Sequence, residues 1–167
     1  MIVELIELTM NNDGVDVFDM LKEIGPGENG YVNDGCAIQI DELPAYLKKC
    51  DNMSKAIDLA PHIVPQTTFW LYIDCALVGV GELRHYLNEN LKIRGGNISY
   101  TIRPSQRGKG YGTVILQELL KKAKDKDIEK ILITCSENNL ASRKVIEKNG
   151  CILASINNGE CSYRKTL

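Results

Sequence analysis

Apolar positions along this chain recur with two spacings, every second residue and about every 3.6 residues, and the switches between them mark out its elements. Alternation over Ile2 to Thr9 predicts a first strand, with Val3, Leu5 and Glu7 on one face and Ile2, Ile6 and Leu8 mostly on the other. Asn11-Asn12-Asp13-Gly14 reads as a turn or helix start. Val17, Met20, Leu21 and Ile24 then fall at helical spacing within Val15 to Ile24, and Gly25-Pro26-Gly27 breaks that helix. A Gly- and Asn-rich stretch from Glu28 to Gln39 reads as loop. Asp41-Glu42-Leu43-Pro44 opens a second helix running to about Cys50, and the segment from Asn52 to Pro65 is irregular.

The middle of the chain is rich in strands. Thr67 to Ile73 carries β-branched and aromatic residues, and Leu77 to Leu83 follows it across a short turn as a hairpin. On the second of these strands Val78, Val80, Glu82 and Arg84 are expected to share a face. Polar residues from Asn88 to Gly96 lead to a strand at Asn97 to Arg103, which Pro104 stops. The spacing then changes. Leu116, Leu119, Leu120 and Ala123 form a helical stripe within Gly112 to Asp125, and Lys121, Lys122, Lys124 and Lys126 read as its solvated face. Lys130 to Cys135 is a continuous apolar strand, as expected of one buried on both faces. A helix at Asn139 to Lys148 is capped near Asn138 or Asn139 and ends at Gly150. Cys151 to Ile156 and Cys161 to Lys165 form a last hairpin, a candidate for pairing between the subunits of a homodimer. This order predicts an α/β (α+β) fold with a mixed, mostly antiparallel central sheet flanked by helices.

Composition narrows the function. With 167 residues and 44% of them hydrophobic, the chain is expected to form one domain over residues 1–167. Lys and Arg number 20 against 22 Asp and Glu, a net charge of −2, so the electrostatic footprint of a nucleic-acid binder is missing. No apolar run reaches the ~20 residues of a membrane span. Met1 to Met10 lacks the basic start of a signal peptide, so a cytoplasmic location without membrane contact is expected. Six cysteines occur, none spaced as CxxC, with only His62 and His85 to join them as imidazole ligands; free thiols and no metal are expected.

One stretch carries chemistry: Ile102-Arg103-Pro104-Ser105-Gln106-Arg107-Gly108-Lys109-Gly110-Tyr111-Gly112-Thr113. A strand ends, three glycines follow, and a long helix begins. Unpaired N–H groups in the first helical turn and the positive end of its dipole suit a pyrophosphate. The stretch is neither a Walker A loop nor a regular dinucleotide fingerprint.

Arg107-x-x-Gly110-x-Gly112 matches the R/Q-x-x-G-x-G/A signature of the GNAT superfamily of acyl-CoA N-acyltransferases. Asn139-Leu140-Ala141-Ser142 and Val145-Ile146-Glu147-Lys148-Asn149-Gly150 resemble that family's later segments, and residues 84–111 resemble a group of bacterial acetyltransferases. The resemblance covers roughly Phe69 to Arg164. It implies transfer of an acetyl group from acetyl-CoA, as co-substrate and without a metal, to a primary amine of a small molecule or peptide. It implies a pyrophosphate cradle built from Arg107, Gly108, Lys109, Gly110, Tyr111, Gly112 and Thr113. The pantetheine arm would lie along Tyr100, Thr101 and Ile102, and Asn139 and Ser142 would face the coenzyme. An amide near Tyr100 would polarise the thioester, between strands 97–102 and 130–135 that splay apart. The alternative is a non-catalytic acyl-CoA-binding or regulatory module.

The reacting amine must lose a proton. Glu82 is the leading base candidate, against a reading as surface partner of Arg84; His85 is a second, with an imidazole suited to neutral pH. Tyr100, Tyr111 or simply water is the candidate acid. Two positions depart from the family: Ile146 stands where many members have a tyrosine acid, and Asn97 where many have a carboxylate.

Overall fold

The computed structural model describes residues 1–10 and 14–167. The turn expected at Asn11 to Asp13 lies outside them; the first helix, α1, runs Gly14–Ile24. Among the described residues the strands are β1 (Val3–Glu7), β2 (Gln66–Ile73), β3 (Ala76–Arg84), β4 (Ile98–Ile102), β5 (Lys130–Ser136), β6 (Ile152–Asn157) and β7 (Glu160–Thr166). The remaining α-helices among them are α2 (Leu43–Ser54), α3 (Glu89–Ile93), α4 (Tyr111–Asp125) and α5 (Leu140–Lys148). The short α3 is not foreshadowed by apolar spacing; the side chain of Asn88 caps it by accepting from the Leu91 N–H at 3.0 Å.

The mixed α/β character is as expected, but the strands form two antiparallel sheets. One has the order β1-β2-β3-β4 and the other β5-β7-β6. They meet at the start of β4. There the Asn97 N–H donates to the Leu132 carbonyl at 2.7 Å, and the Leu132 N–H donates to the Asn97 side-chain oxygen at 2.9 Å. Asn97 is only 2% exposed. Beyond this pin β4 and β5 part, which leaves one edge of β4 without a strand neighbour. Asn97, at the position where many members of the resembled family have a carboxylate, is instead a pin between the sheets.

The first sheet is covered on both faces. Phe69, Leu71 and Ile73 of β2 face a core shared with Ile115, Leu116 and Leu119 of α4 and with Ile133 and Tyr163 of the second sheet. Trp70 faces the opposite core, built with Val17, Met20 and Leu21 of α1 and Leu47 of α2. Burial on both sides explains why β2 is an almost unbroken apolar run. A bulge in β3 corrects one expected face: Leu71 pairs with Gly79 but Tyr72 pairs with Leu77, so Val78 is an extra residue. It turns Val78 into the α4 core, whereas Val80 packs in the α1–α2 core. Gly81 permits α4 to sit close, since a Cβ there would lie 2.6 Å from Leu119 Cδ1.

β5 is not buried evenly on both faces. Ile131, Ile133 and Cys135 are buried while Leu132 and Thr134 are half-buried, because β5 borders the opening between the sheets. No helix among the described residues is long and apolar enough to cross a membrane.

Candidate functional site at the split between the sheets

The parting of β4 and β5 opens a cavity of about 410 Å³. Along it run the whole of β4, residues 133–136 of β5, the loop into α4, and the start of α5. Each wall has a physical origin.

The loop 103–110 is tied down from behind. Arg103 donates through Nε to Glu23 Oε2 at 2.6 Å and through Nη1 to the Leu77 carbonyl at 3.2 Å. Glu23 Oε1 accepts from the Ser105 N–H at 2.6 Å. Burial would raise the Glu23 carboxyl, but these bonds from Ser105 and Arg103 outweigh it and hold it below the usual range. Arg107 Nε donates to the Ile102 carbonyl at 3.0 Å, and its guanidinium pairs with Glu28 of the loop after α1. The arginine of the signature thus folds the loop back onto the end of β4.

This bracing lets the loop present its backbone forward. Gly108 and Gly110 have φ of +78° and +84°, conformations in which a side chain is strained, and a Cβ at either would point into open space. Gly110 is the N-cap of α4, and no side chain caps the helix. Its leading N–H groups and the positive end of its dipole are therefore presented to a ligand. Gly112 serves packing: a Cβ there would stand 3.3 Å from Val145 of α5.

Opposite, Asn139 caps α5 by accepting from the Ser142 N–H at 3.1 Å. The Tyr100 hydroxyl and Ser142 Oγ lie 3.3 Å apart within the cavity wall. Burial pushes the Tyr100 phenol up to about 12, so it stays protonated near neutrality. Burial likewise pushes the Cys135 thiol up to about 11, which leaves little thiolate and disfavours a nucleophilic role.

Most residues singled out from the sequence meet here. Tyr100, Thr101, Ile102, Arg107, Gly108, Gly110, Tyr111, Gly112, Thr113, Asn139 and Ser142 all line the cavity. Lys109 does not; its ammonium turns to Gln106 Oε1 at 2.7 Å. His85 is also left outside. It follows Leu83 in alternation, so it points away from the Glu82 face, and its Nε2 lies 2.8 Å from Thr67 Oγ1. Ile146 is fully buried in the core beside α4.

Glu82 lies on the α1–α2 side of the sheet, opposite Thr68 of β2 and Ser99 of β4. It lines a smaller recess of about 70 Å³ with Asp34, Tyr46, Lys49 and Cys50. Its Oε2 accepts from Ser99 Oγ at 2.6 Å. Burial raises its carboxyl above the ordinary value, partly offset by Ser99 and by the charge of Arg84. Arg84 itself donates to the Gly95 and Gly96 carbonyls at 3.3 and 3.1 Å, holding the segment before β4. Reading the sequence missed Ser99 and Tyr31. Ser99 stands directly across from Glu82 on β4, a pairing that alignment of the two predicted strands would have found. Tyr31 comes from a loop without periodicity.

Among the described residues no group of three or more His, Cys, Asp or Glu is placed to hold a metal ion. All six cysteines are free.

Comparison with known proteins places this arrangement. No curated protein matches the chain in sequence. Several solved structures share its fold. The microcin C7 self-immunity acetyltransferase MccE, in complex with acetyl-CoA and AMP, has a TM-score of 0.68 at 15% identity, over 99% of this chain and 92% of that one. The N-acetyltransferase PseH of Campylobacter jejuni, in complex with acetyl coenzyme A, has a TM-score of 0.66 at 12% identity, over 99% of each chain. An acetyl transferase from Salmonella typhimurium that modifies the N-terminal serine of ribosomal protein L7/L12 has a TM-score of 0.67 at 16% identity, over 99% of this chain and 95% of that one. The acetyltransferase (GNAT) domain family matches residues 43–152, more than half of the 167. The chain therefore belongs to the GNAT acetyltransferase family and is an enzyme of the N-acetyltransferase class.

Proposed function

We propose that this enzyme transfers the acetyl group of acetyl-CoA to a primary amine by direct attack within a ternary complex. The observation that carries the reading is one continuous cavity. It joins the uncapped start of α4, with Gly108 and Gly110 bent toward it, to the free edge of β4. The α4 end fits an anion, so amides of 107–113 hold the pyrophosphate. The β4 edge fits an extended chain bearing amide groups, so Tyr100 to Ile102 pair with the pantetheine arm in the manner of an added strand. Fold neighbours bound to acetyl-CoA or coenzyme A support the assignment.

The chemistry divides between the two faces of β4. Glu82, with its raised carboxyl, serves as base on the α1–α2 face, where the acceptor enters. Tyr100 and Ser142, on the α4–α5 face, stand where the departing sulfur is protonated. Holding both substrates in one cleft supplies much of the rate, since effective molarities reach ~10⁵ M or more. A backbone donor at the thioester oxygen adds about 3–4 kcal/mol of transition-state stabilisation. The protonated Cys135 thiol favours this direct route over an acyl-enzyme.

Calorimetric titration with acetyl-CoA, with ATP and NAD as controls, tests the reading. Saturation near one site per chain with silent controls is expected. Tight ATP or NAD binding without coenzyme A binding would overturn it. Thiol release with a panel of polyamines, amino acids and short peptides then defines the acceptor. Acetyl-CoA binding without turnover of any amine would favour an acyl-CoA-binding regulatory module.

A further inference from the structure

Glu82 and the cavity in which the amine must react are not in direct contact. The carboxylate opens onto the 70 Å³ recess, whereas the large cavity is lined by its neighbour Ser99. The Ser99 hydroxyl bridges the two, donating to Glu82 Oε2 at 2.6 Å. A hydroxyl has one proton to give and two lone pairs to accept with. Ser99 gives its proton toward Glu82 and so keeps its lone pairs for a donor in the cavity. Its neighbour Tyr100 projects to the other face of β4, toward Ser142; Thr101 shares the Ser99 face but stands across from Val80, so Ser99 is the β4 hydroxyl directly opposite Glu82.

We infer that Ser99 is a catalytic residue that relays the acceptor's proton to Glu82. This rests on Glu82 as the base. In the step, the acceptor ammonium gives one proton to Ser99 Oγ while the Ser99 proton passes to Glu82 Oε2. The freed amine attacks the thioester carbonyl carbon. The N–C bond forms, the C–S bond breaks, and its electron pair leaves on the coenzyme sulfur, which takes a proton from the Tyr100 hydroxyl as the second amine proton replaces it. Glu82 returns its proton to water in the recess, which has room for a few molecules. The groups facing Glu82 suit this traffic. Asp34 from the loop after α1 disfavours its charge, while Arg84 and a hydrogen bond from Gln66 favour it; Tyr31 of that loop and Tyr46 and Cys50 of α2 are held protonated beside it, in part by its own charge.

The test compares S99A, S99T and E82Q with the wild type, each first shown to unfold at a similar temperature and to bind coenzyme A. Acetyl-CoA cleavage is followed by thiol release, with n-hexylamine as the probe and separately with water as acceptor. A relay predicts that S99A lowers kcat by about 10²-fold, the scale of general-base assistance, with the KM for acetyl-CoA unchanged. S99T, which keeps the hydroxyl, restores the rate. A proton inventory in H2O/D2O mixtures is curved for wild type and linear for S99A. Should S99A instead keep the wild-type plateau rate and move only the acid limb of the pH profile, Ser99 is merely an anchor and the relay is overturned. Loss of activity in E82Q alongside an intact S99A sinks the relay and spares the base. An active E82Q sinks the base itself, and a wild type that cleaves acetyl-CoA with neither this probe nor any amine of the panel overturns the transferase reading on which the relay rests.

Discussion

Asn97 offers the sharpest test of how the cleft is held open. Replacing it with leucine keeps the side-chain size but removes the oxygen that receives the Leu132 N–H at 2.9 Å. The backbone bond from Asn97 to the Leu132 carbonyl survives the change. A buried donor left unsatisfied costs about 1–3 kcal/mol. Asn97 is 2% exposed, so water has little access to substitute for the lost acceptor. For a chain of this size each kcal/mol moves the midpoint by roughly 2–4 °C, so a loss of about 2 kcal/mol lowers Tm by about 4–8 °C. The alanine variant adds a cavity to the same loss and should fall further, which makes N97L the cleaner reading of the bond. Differential scanning calorimetry without ligand, followed by titration with acetyl-CoA, measures both consequences. The same substitution should weaken acetyl-CoA binding, because the pin sets the spacing between β4 and β5. An N97L protein that melts within about 1 °C of wild type and binds acetyl-CoA equally well would refute the pin.

Three further outcomes are expected. Valine at Gly110 must adopt a φ of +84°, at a cost of about 1–2 kcal/mol, and its side chain enters open space on the ligand side. G110V should therefore fold but bind acetyl-CoA at least ~10-fold more weakly by calorimetry, the scale of about 1.4 kcal/mol; unchanged binding would remove the cradle. Burial raises the Glu82 carboxyl, so kcat/KM should climb with pH through a limb lying above the usual carboxylate value of ~4.3, and E82Q should lose that limb along with most of its rate. The Glu23 carboxyl is held low, so its contribution to stability is full above the unfolded value and fades as pH falls through the folded one. Chemical denaturation of E23Q across pH should show a deficit at neutrality that narrows toward acid, and a constant deficit would contradict the pairing with Arg103 and Ser105.

Local pattern carried much of this fold. The stripe Leu116, Leu119, Leu120 and Ala123 is buried as its spacing indicated, because an amphipathic helix has one face to hide. The glycine loop was equally legible, since backbone freedom and a helix start sit side by side in the chain. Non-local events were not. The Val78 bulge depends on the register of β2 against β3, so counting along β3 alone put Val78 on the wrong face. The joint between the two sheets includes a side chain, Asn97, meeting a backbone 35 residues away. The same parity that joins Glu82 to Ser99 also excludes His85, whose titration range had suggested a role that its direction denies.

The free edge of β4 carries a consequence for turnover under the proposed function. The pantetheine arm, rather than the acetyl group, supplies the contacts that fill the seam between the sheets. Spent coenzyme possesses the same arm and the same pyrophosphate. It should therefore occupy the seam almost as firmly as the fresh donor, and each cycle must end with the two sheets releasing a molecule they still fit. An enzyme built this way senses the ratio of acylated to free coenzyme rather than the amount of donor alone, and slows as that ratio falls.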